Sequence, residues 1–178
     1  MTKKEKNMIK KCRVIIWGTN DFYAIICGEL YKIGFRNVIS INRSNTLERG
    51  DADIIINEIG IVNINSHENI GIPIICPLDL IRGAAVIVFY PGDDYGLLNK
   101  ENSRIRLAEY ISGYCAFWNV ESSDWLNDAM PAIRSGKRSY KAARTAAIMC
   151  ARIIANIAIS REVKHYPRFY IYGNSESG

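Results

Sequence analysis

Residues 13–21 run Arg13-Val14-Ile15-Ile16-Trp17-Gly18-Thr19-Asn20-Asp21. An apolar run of strand length meets a glycine, and a helix signal follows at once. Apolarity at successive rather than alternate positions predicts a strand buried on both faces. Asp21 is the expected N-cap, its carboxylate accepting from free N–H groups of a helix from Phe22 to Lys32 that stops at Gly34. Asn37 to Ile41 predicts a second strand. The unit has the size of a β–α–β pair, whose parallel strands need a crossover helix rather than a tight turn.

The same texture continues outward. Residues 53–57, 73–76 and 84–90 predict three more buried strands, the last ended by Pro91-Gly92. No hairpin signal separates them, so a largely parallel sheet is expected. Residues 101–112 fit a helix and 114–120 a strand. A helix then begins near Ser122 or Ser123, and Pro131 is expected to break or restart it. Tyr140 to Ser160 holds no Gly or Pro and is apolar nearly all round. Such a helix is central in a domain or forms a dimer interface. Tyr166 to Tyr172 predicts a closing strand. The fold class is α/β and Rossmann-like, a mostly parallel sheet with helices on both faces in three layers. Residues 1–11 read as a polar extension open to disorder, and 12–178 as a single domain.

Composition narrows the classes. The chain has 178 residues, 48% hydrophobic and 23% charged, with a net charge of +5. That is globular composition, and a chain this long builds a core without disulfides or metal. No run reaches the roughly 20 apolar residues of a membrane span. The apolar stretch after the basic start is too short for a signal peptide, so a cytoplasmic protein is expected. Cys12, Cys27, Cys76, Cys115 and Cys150 form no C-x-x-C pair and sit mostly in apolar runs, which predicts reduced, buried thiols. With only His67 and His165 as nitrogen ligands, no zinc site is expected. The basic charge gathers in residues 1–11 and in Arg134, Lys137, Arg138, Lys141 and Arg144. No aromatic–basic stripe accompanies it, so solvation or a phosphate-bearing ligand is expected rather than nucleic acid.

Ligands of parallel sheets bind at the C-terminal strand ends. That rule selects Gly18, Thr19, Asn20 and Asp21; Asn42, Arg43 and Ser44; Asn57 and Glu58; and Pro91, Gly92, Asp93 and Asp94 as candidate cofactor-binding residues. The turn at Gly18 keeps one glycine of the G-x-G-x-x-G/A dinucleotide pattern. Asn20 stands at the second glycine and Tyr23 at the third, with Ala24 beside it. It is either a modified nucleotide loop or a turn without a ligand. The second strand exits on Asn42-Arg43-Ser44, where an NAD site would carry an acid. A guanidinium and a hydroxyl suit the extra phosphate of NADP. Asp93 and Asp94 suit Mg²⁺ or acid–base work, but Pro-Gly-Asp-Asp is more often turn chemistry, which is the expectation here. His67 lies in a polar segment and is expected exposed. The residues name no reaction, and a nucleophile elbow, a P-loop and a Ser–His–Asp order are all absent.

Taken in order, the motifs resemble the ThiF-like family of ubiquitin-like-protein activating and adenylating enzymes. Arg13–Gly18 resembles that family's opening strand and turn. Asp51-Ala52-Asp53-Ile54-Ile55 resembles its strand ending at an acidic switch point. Gly71-Ile72-Pro73-Ile74-Ile75 resembles its G-x-P strand. Tyr90-Pro91-Gly92 resembles its later turn, and the alanine-rich helix at 142–159 its closing helix. The family's long insertion, which carries the groups that bind ATP and metal, is missing before Asp51. The resemblance therefore implies a shortened, degenerate relative, an accessory or partner-binding subunit in a peptide- or cofactor-modification pathway. A second resemblance, over residues 13–92, is to the NADP-binding half of shikimate and methylenetetrahydrofolate dehydrogenases, carried by Ile41-Asn42-Arg43-Ser44, by Ala52 to Asn57 and by Leu80 to Ile87. It implies an NADP(H)-binding oxidoreductase. ATP and NADP are the cofactors these likenesses suggest. A third alternative is a non-catalytic module that pairs as a homodimer, or with another protein, through the 140–160 helix.

Overall fold

A computed structural model describes residues 1–41, 51–58, 71–98, 102–120 and 123–173. In chain order the elements are α1 (Lys3–Lys11), β1 (Arg13–Trp17), α2 (Asn20–Ile33), β2 (Asn37–Ser40), β3 (Ile54–Asn57), β4 (Ile74–Asp79), β5 (Gly83–Phe89), α3 (Ser103–Phe117), α4 (Asp124–Arg134), α5 (Tyr140–Ala158) and β6 (Tyr170–Gly173). The strands form one sheet in the order β2-β1-β3-β4-β5-β6. β2, β1, β3 and β4 are parallel, and β5 runs antiparallel to both its neighbours, β4 and β6, so that β6 points the same way as the parallel strands. Helices α2 and α5 pack together over one face, with α1 beside α5, and α3 and α4 cover the other. The architecture is a Rossmann-like, three-layer α/β fold. Among the described residues no helix is long and apolar enough to cross a membrane.

The burial of both faces follows from the strand sequences. Every residue of β3, β4 and β5 is buried, because successive Ile, Val and Ala side chains point alternately into two apolar layers. Ile16, Ile54, Ile56 and Val88 face α2 and α5, while Ile55, Cys76, Ile87 and Phe89 face α3 and α4. The apolarity of α5 is used inside the chain: Ala147, Cys150, Ala151, Ile153 and Ile154 join the core shared with α2 and the sheet. All five cysteines are free and buried. Burial raises the Cys12 thiol to about 12 and pushes the Cys76 and Cys150 thiols well above the usual range.

Several expectations are corrected. Residues 3–11 are helical, opened by a capping box in which Thr2 and Glu5 exchange hydrogen bonds, and Ile9 is fully buried. Thr19, not Asp21, caps α2, its hydroxyl accepting from the Phe22 N–H at 3.3 Å. The 114–120 strand does not form. α3 runs on to Phe117 because Leu107, Ala108, Ile111 and Cys115 fall on one helical face against the core, and that packing overrides the β preference of Tyr114, Phe117 and Trp118. α4 continues through Pro131 to Arg134. Its apolar face, with Trp125, Leu126, Met130 and Ile133, holds it to the sheet despite one missing hydrogen bond.

The largest correction is the hairpin between β4 and β5. Leu78 pairs with Ala85 and Asp79 with Ala84, so the chain reverses over Leu80-Ile81-Arg82. The turn places Ile81 at φ 68, a left-handed conformation rare for a β-branched residue. The Asp79 carboxylate accepts the Ile81 N–H at 2.8 Å and holds it there. Neither central residue, Ile81 nor Arg82, is the glycine, asparagine or aspartate that a tight hairpin turn prefers. The glycine of the turn, Gly83, stands at its last position, where the Leu80 N–H donates to its carbonyl at 3.0 Å. At the far edge, Trp125 of α4 lies flat over Gly83 and Gly173, where a Cβ on either glycine would collide with its indole.

Candidate functional site

The strand order reverses between β1 and β3, and the crevice at that switch point is where ligands of this architecture bind. Trp17 and Asn57 pair in register at the tops of the two strands, followed by Gly18 and Glu58. Gly18 sits in a tight place: a Cβ there would crowd the Phe22 ring at 3.2 Å and touch the Glu58 Cβ at an ordinary 3.5 Å.

Two helices start over this edge, and they are held in the same way. Thr19 caps α2, and its own backbone N–H donates to Glu58 Oε2 at 3.0 Å. Ser139 caps α5 by accepting from the Ala142 N–H, and its backbone N–H donates to Asp79 Oδ2 at 2.6 Å. Each helix N-terminus, with its partial positive charge, thus receives a carboxylate from the end of a neighbouring strand. Arg138 donates to the other Glu58 oxygen and ties the two N-termini together. Glu58 and Asp79 are buried, their side chains 6% and 2% exposed, while Arg138 is 46% exposed.

Arg104 at the start of α3 completes the cluster. Its Nε donates to the Asp79 carbonyl at 2.8 Å, and Nη2 lies 3.8 Å from Asp79 Oδ1. Burial lowers the Arg104 pKa, Asp79 opposes that, Arg138 adds to it, and Glu58 opposes it again. A cleft of about 260 Å³ lies over the group, lined by Thr19, Asp21, Phe22, Ile25, Glu58, Asp79, Arg138, Ser139, Tyr140 and Ala143.

The predicted residues divide. Gly18, Thr19, Asn20, Asp21, Asn57 and Glu58 converge on the switch point. Asn57 is buried on the α3 side next to Cys76, and neither polar atom of its amide has a hydrogen-bond partner among the described residues. Asn42, Arg43, Ser44 and His67 lie outside the described residues. Pro91, Gly92, Asp93 and Asp94 are not at this edge at all. Because β5 runs antiparallel, its C-terminus lies by the start of β4, with Phe89 opposite Ile74. There Asp93 accepts the Tyr90 N–H at 2.7 Å and contacts His165 Nδ1 at 3.0 Å, and Asp94 accepts the Gly96 N–H at 2.8 Å, which is turn chemistry. Asp53 also lies at the starting edge: it accepts from the Arg13 backbone N–H at 2.8 Å and from its guanidinium at 2.9 Å, clasping β1 to β3. It is therefore not a switch-point acid.

Asp79, Arg104, Arg138 and Ser139 were missed. The available signals were an acid closing the apolar run 74–78 and a serine directly before the longest helix, the position of an N-cap. Their meeting needed the hairpin, which the sequence hides.

A switch-point crevice whose helix N-termini are already filled by the chain's own carboxylates defines the class: a Rossmann-like domain with an internally occupied anion position. No family model and no curated relative matches the chain. Among solved structures, it is similar to a heterocyclase in complex with substrate and cofactor, with a TM-score of 0.52 and 11% sequence identity. The match covers 88% of this chain and 20% of that one, so the chain spans about a fifth of the protein it resembles. At that identity the likeness is one of fold.

Proposed function

We propose that the chain is a degenerate, ThiF-like accessory module that binds a protein partner in a peptide- or cofactor-modification pathway and does not adenylate. The observation that carries this reading is the Glu58 carboxylate on the Thr19 N–H. A nucleotide held at a Rossmann turn uses the first N–H groups after the glycine for its phosphates. Here that donor is taken by a buried carboxylate, itself paired with Arg138, and a phosphate entering beside it would meet like charge. The likeness to one fifth of a heterocyclase solved with substrate and cofactor supports a modification pathway as the setting. Phe117 and Trp118, 79% and 63% exposed at the end of α3, are apolar surface of the kind protein partners cover.

A thermal-shift panel with ATP, NAD and NADP, joined to an ATP–pyrophosphate exchange assay, tests it. A ligand that binds only the native state raises its melting temperature by mass action. No shift and no exchange are expected. A shift with ATP together with exchange overturns the reading in favour of adenylation, and a shift with NADP alone overturns it in favour of an oxidoreductase.

A further inference from the structure

A one-signed basic surface lies on α1, away from the switch-point crevice. At 3.6 residues per turn, the five lysines of Lys3–Lys11 fall within one half of the helix surface, opposite Ile9. All five are exposed, and Ile9 is fully buried among the residues of the α2–α5 core. Burial of Ile9 fixes the rotation of the helix, so the lysine face points outward by construction. The helix has one acid, Glu5. It is turned toward the protein, accepts the Thr2 N–H at 2.7 Å and pairs with Arg161 at 2.9 Å. Its charge is thus neutralised within the chain, and nothing on α1 offsets the lysines. Lys3, Lys4, Lys6, Asn7 and Lys10 line a shallow groove between the side chains of this face, widely open to solvent.

We propose that the outer face of α1 docks an acidic, extended segment of a partner protein. Charge complementarity carries the choice, and the chemistry of the face narrows it. Single-stranded nucleic acid is held by aromatic side chains that stack on bases, and this face has none. Lysine meets phosphate as a point charge without the bidentate geometry of arginine, and the face presents only ammonium groups and one amide. It therefore offers phosphate no selective contact, and the oligonucleotide arms of the test decide that alternative. An interfacial membrane helix needs an apolar side to sink into lipid, and the apolar side of α1 is already buried in the core. Carboxylates on a flexible chain need only a row of positive charges. The face is independent of Glu58 and Arg138, so its test succeeds or fails separately from the nucleotide panel.

The test is fluorescence anisotropy of the full chain with a labelled ten-residue Glu/Asp peptide, a neutral peptide of equal length, single-stranded and duplex oligonucleotides, and phosphatidylserine vesicles. The acidic peptide is expected to bind best, and to weaken about tenfold between roughly 50 and 200 mM salt, as exposed charge contacts are screened. Lys3→Gln, Lys6→Gln and Lys10→Gln together abolish binding while the circular dichroism spectrum and melting temperature stay as in the parent. Asn7→Glu, a single acid placed in the groove, weakens binding several-fold and serves as the check if the triple variant is unstable. Binding unchanged in both variants, no binding of the acidic peptide, or tighter binding of an oligonucleotide or of vesicles overturns the proposal.

Discussion

Glu58 Oε2 accepts the backbone N–H of Thr19 at 3.0 Å, at the point where a Rossmann turn would meet a phosphate. The carboxylate stabilises the N-terminus of α2 and the guanidinium of Arg138 together. Removing it in Glu58→Ala leaves the Thr19 N–H without its acceptor and Arg138 without its pair. A loss of about 1–3 kcal/mol in unfolding free energy is expected, the usual consequence of orphaning a buried hydrogen-bonding group. The vacated position then suits an external anion. Phosphate or sulfate should therefore raise the melting temperature of Glu58→Ala and leave the parent nearly unmoved. Equal shifts in both proteins would show that Glu58 does not hold the anion position.

Asp79 is a different case, because its partner is buried as well. Its carboxylate serves the N–H groups of Ile81 and Ser139 and lies against Arg104, whose side chain is only 10% exposed. Asp79→Ala is expected to cost about 3–5 kcal/mol, since it leaves a buried cation without its counter-charge. Adding Arg104→Met should recover part of that loss, because the apolar chain fills the same volume without a charge. Denaturant unfolding of the two single variants and the double variant checks this, and simple additivity would deny the coupling.

The two carboxylates also mark where sequence reading stopped. The opening strand, its glycine turn, the buried strands and the α5 helix were legible, because each is a local run of apolar residues bounded by a glycine or a cap. Glu58 was legible only in its place after a buried strand: a solvated loop carboxylate is what the sequence suggests there, and its burial against Thr19 and Arg138 had no local signal. Asp79 was not, because β4 runs three residues beyond the Pro73–Cys76 stretch and then reverses with a positive φ at the β-branched Ile81, where no central turn residue signals it. The same reversal moved Asp93 and Asp94 to the opposite edge. α1 was read as polar lead-in because a single apolar residue, Ile9, anchors it. The pairing of Glu5 with Arg161, 156 positions apart, has no local signal.

The far edge of the sheet depends on the absence of two side chains. The Trp125 indole occupies the space that a Cβ on Gly173 would need, and it also covers Gly83. Gly173→Ala should force Trp125 out of its site or separate β6 from β5. Overpacking of this kind costs roughly 1–3 kcal/mol, and more where backbone must move. Tryptophan fluorescence should shift to the red as Trp125, now 3% exposed, meets water. Trp125→Leu in the same chain should restore part of the stability by making room for the methyl group. An unshifted spectrum with parental stability would mean that α4 does not pack as described.

Acid sensitivity at the starting edge follows from the Arg13–Asp53 clasp. The hydrogen bond from Arg13 holds the Asp53 carboxyl below its usual pKa, against a smaller opposing effect of burial. A carboxyl whose folded pKa is depressed stabilises the fold above its unfolded pKa, about 3.9 for aspartate, and loses that contribution as pH falls through the folded value. Both side chains are nearly half exposed, at 47% and 46%, so solvent screening keeps the effect small. Asp53→Asn keeps one oxygen for the Arg13 N–H, but it removes the charge and replaces the oxygen that accepts from Arg13 Nη2 with a donor. The variant should melt slightly below the parent at neutral pH, and the two curves should converge only as pH falls below the usual aspartate range and through the depressed folded value, where the parent carboxyl becomes neutral as well. Added salt at neutral pH should narrow the same gap. A gap that persists at low pH would assign the difference to geometry rather than to charge.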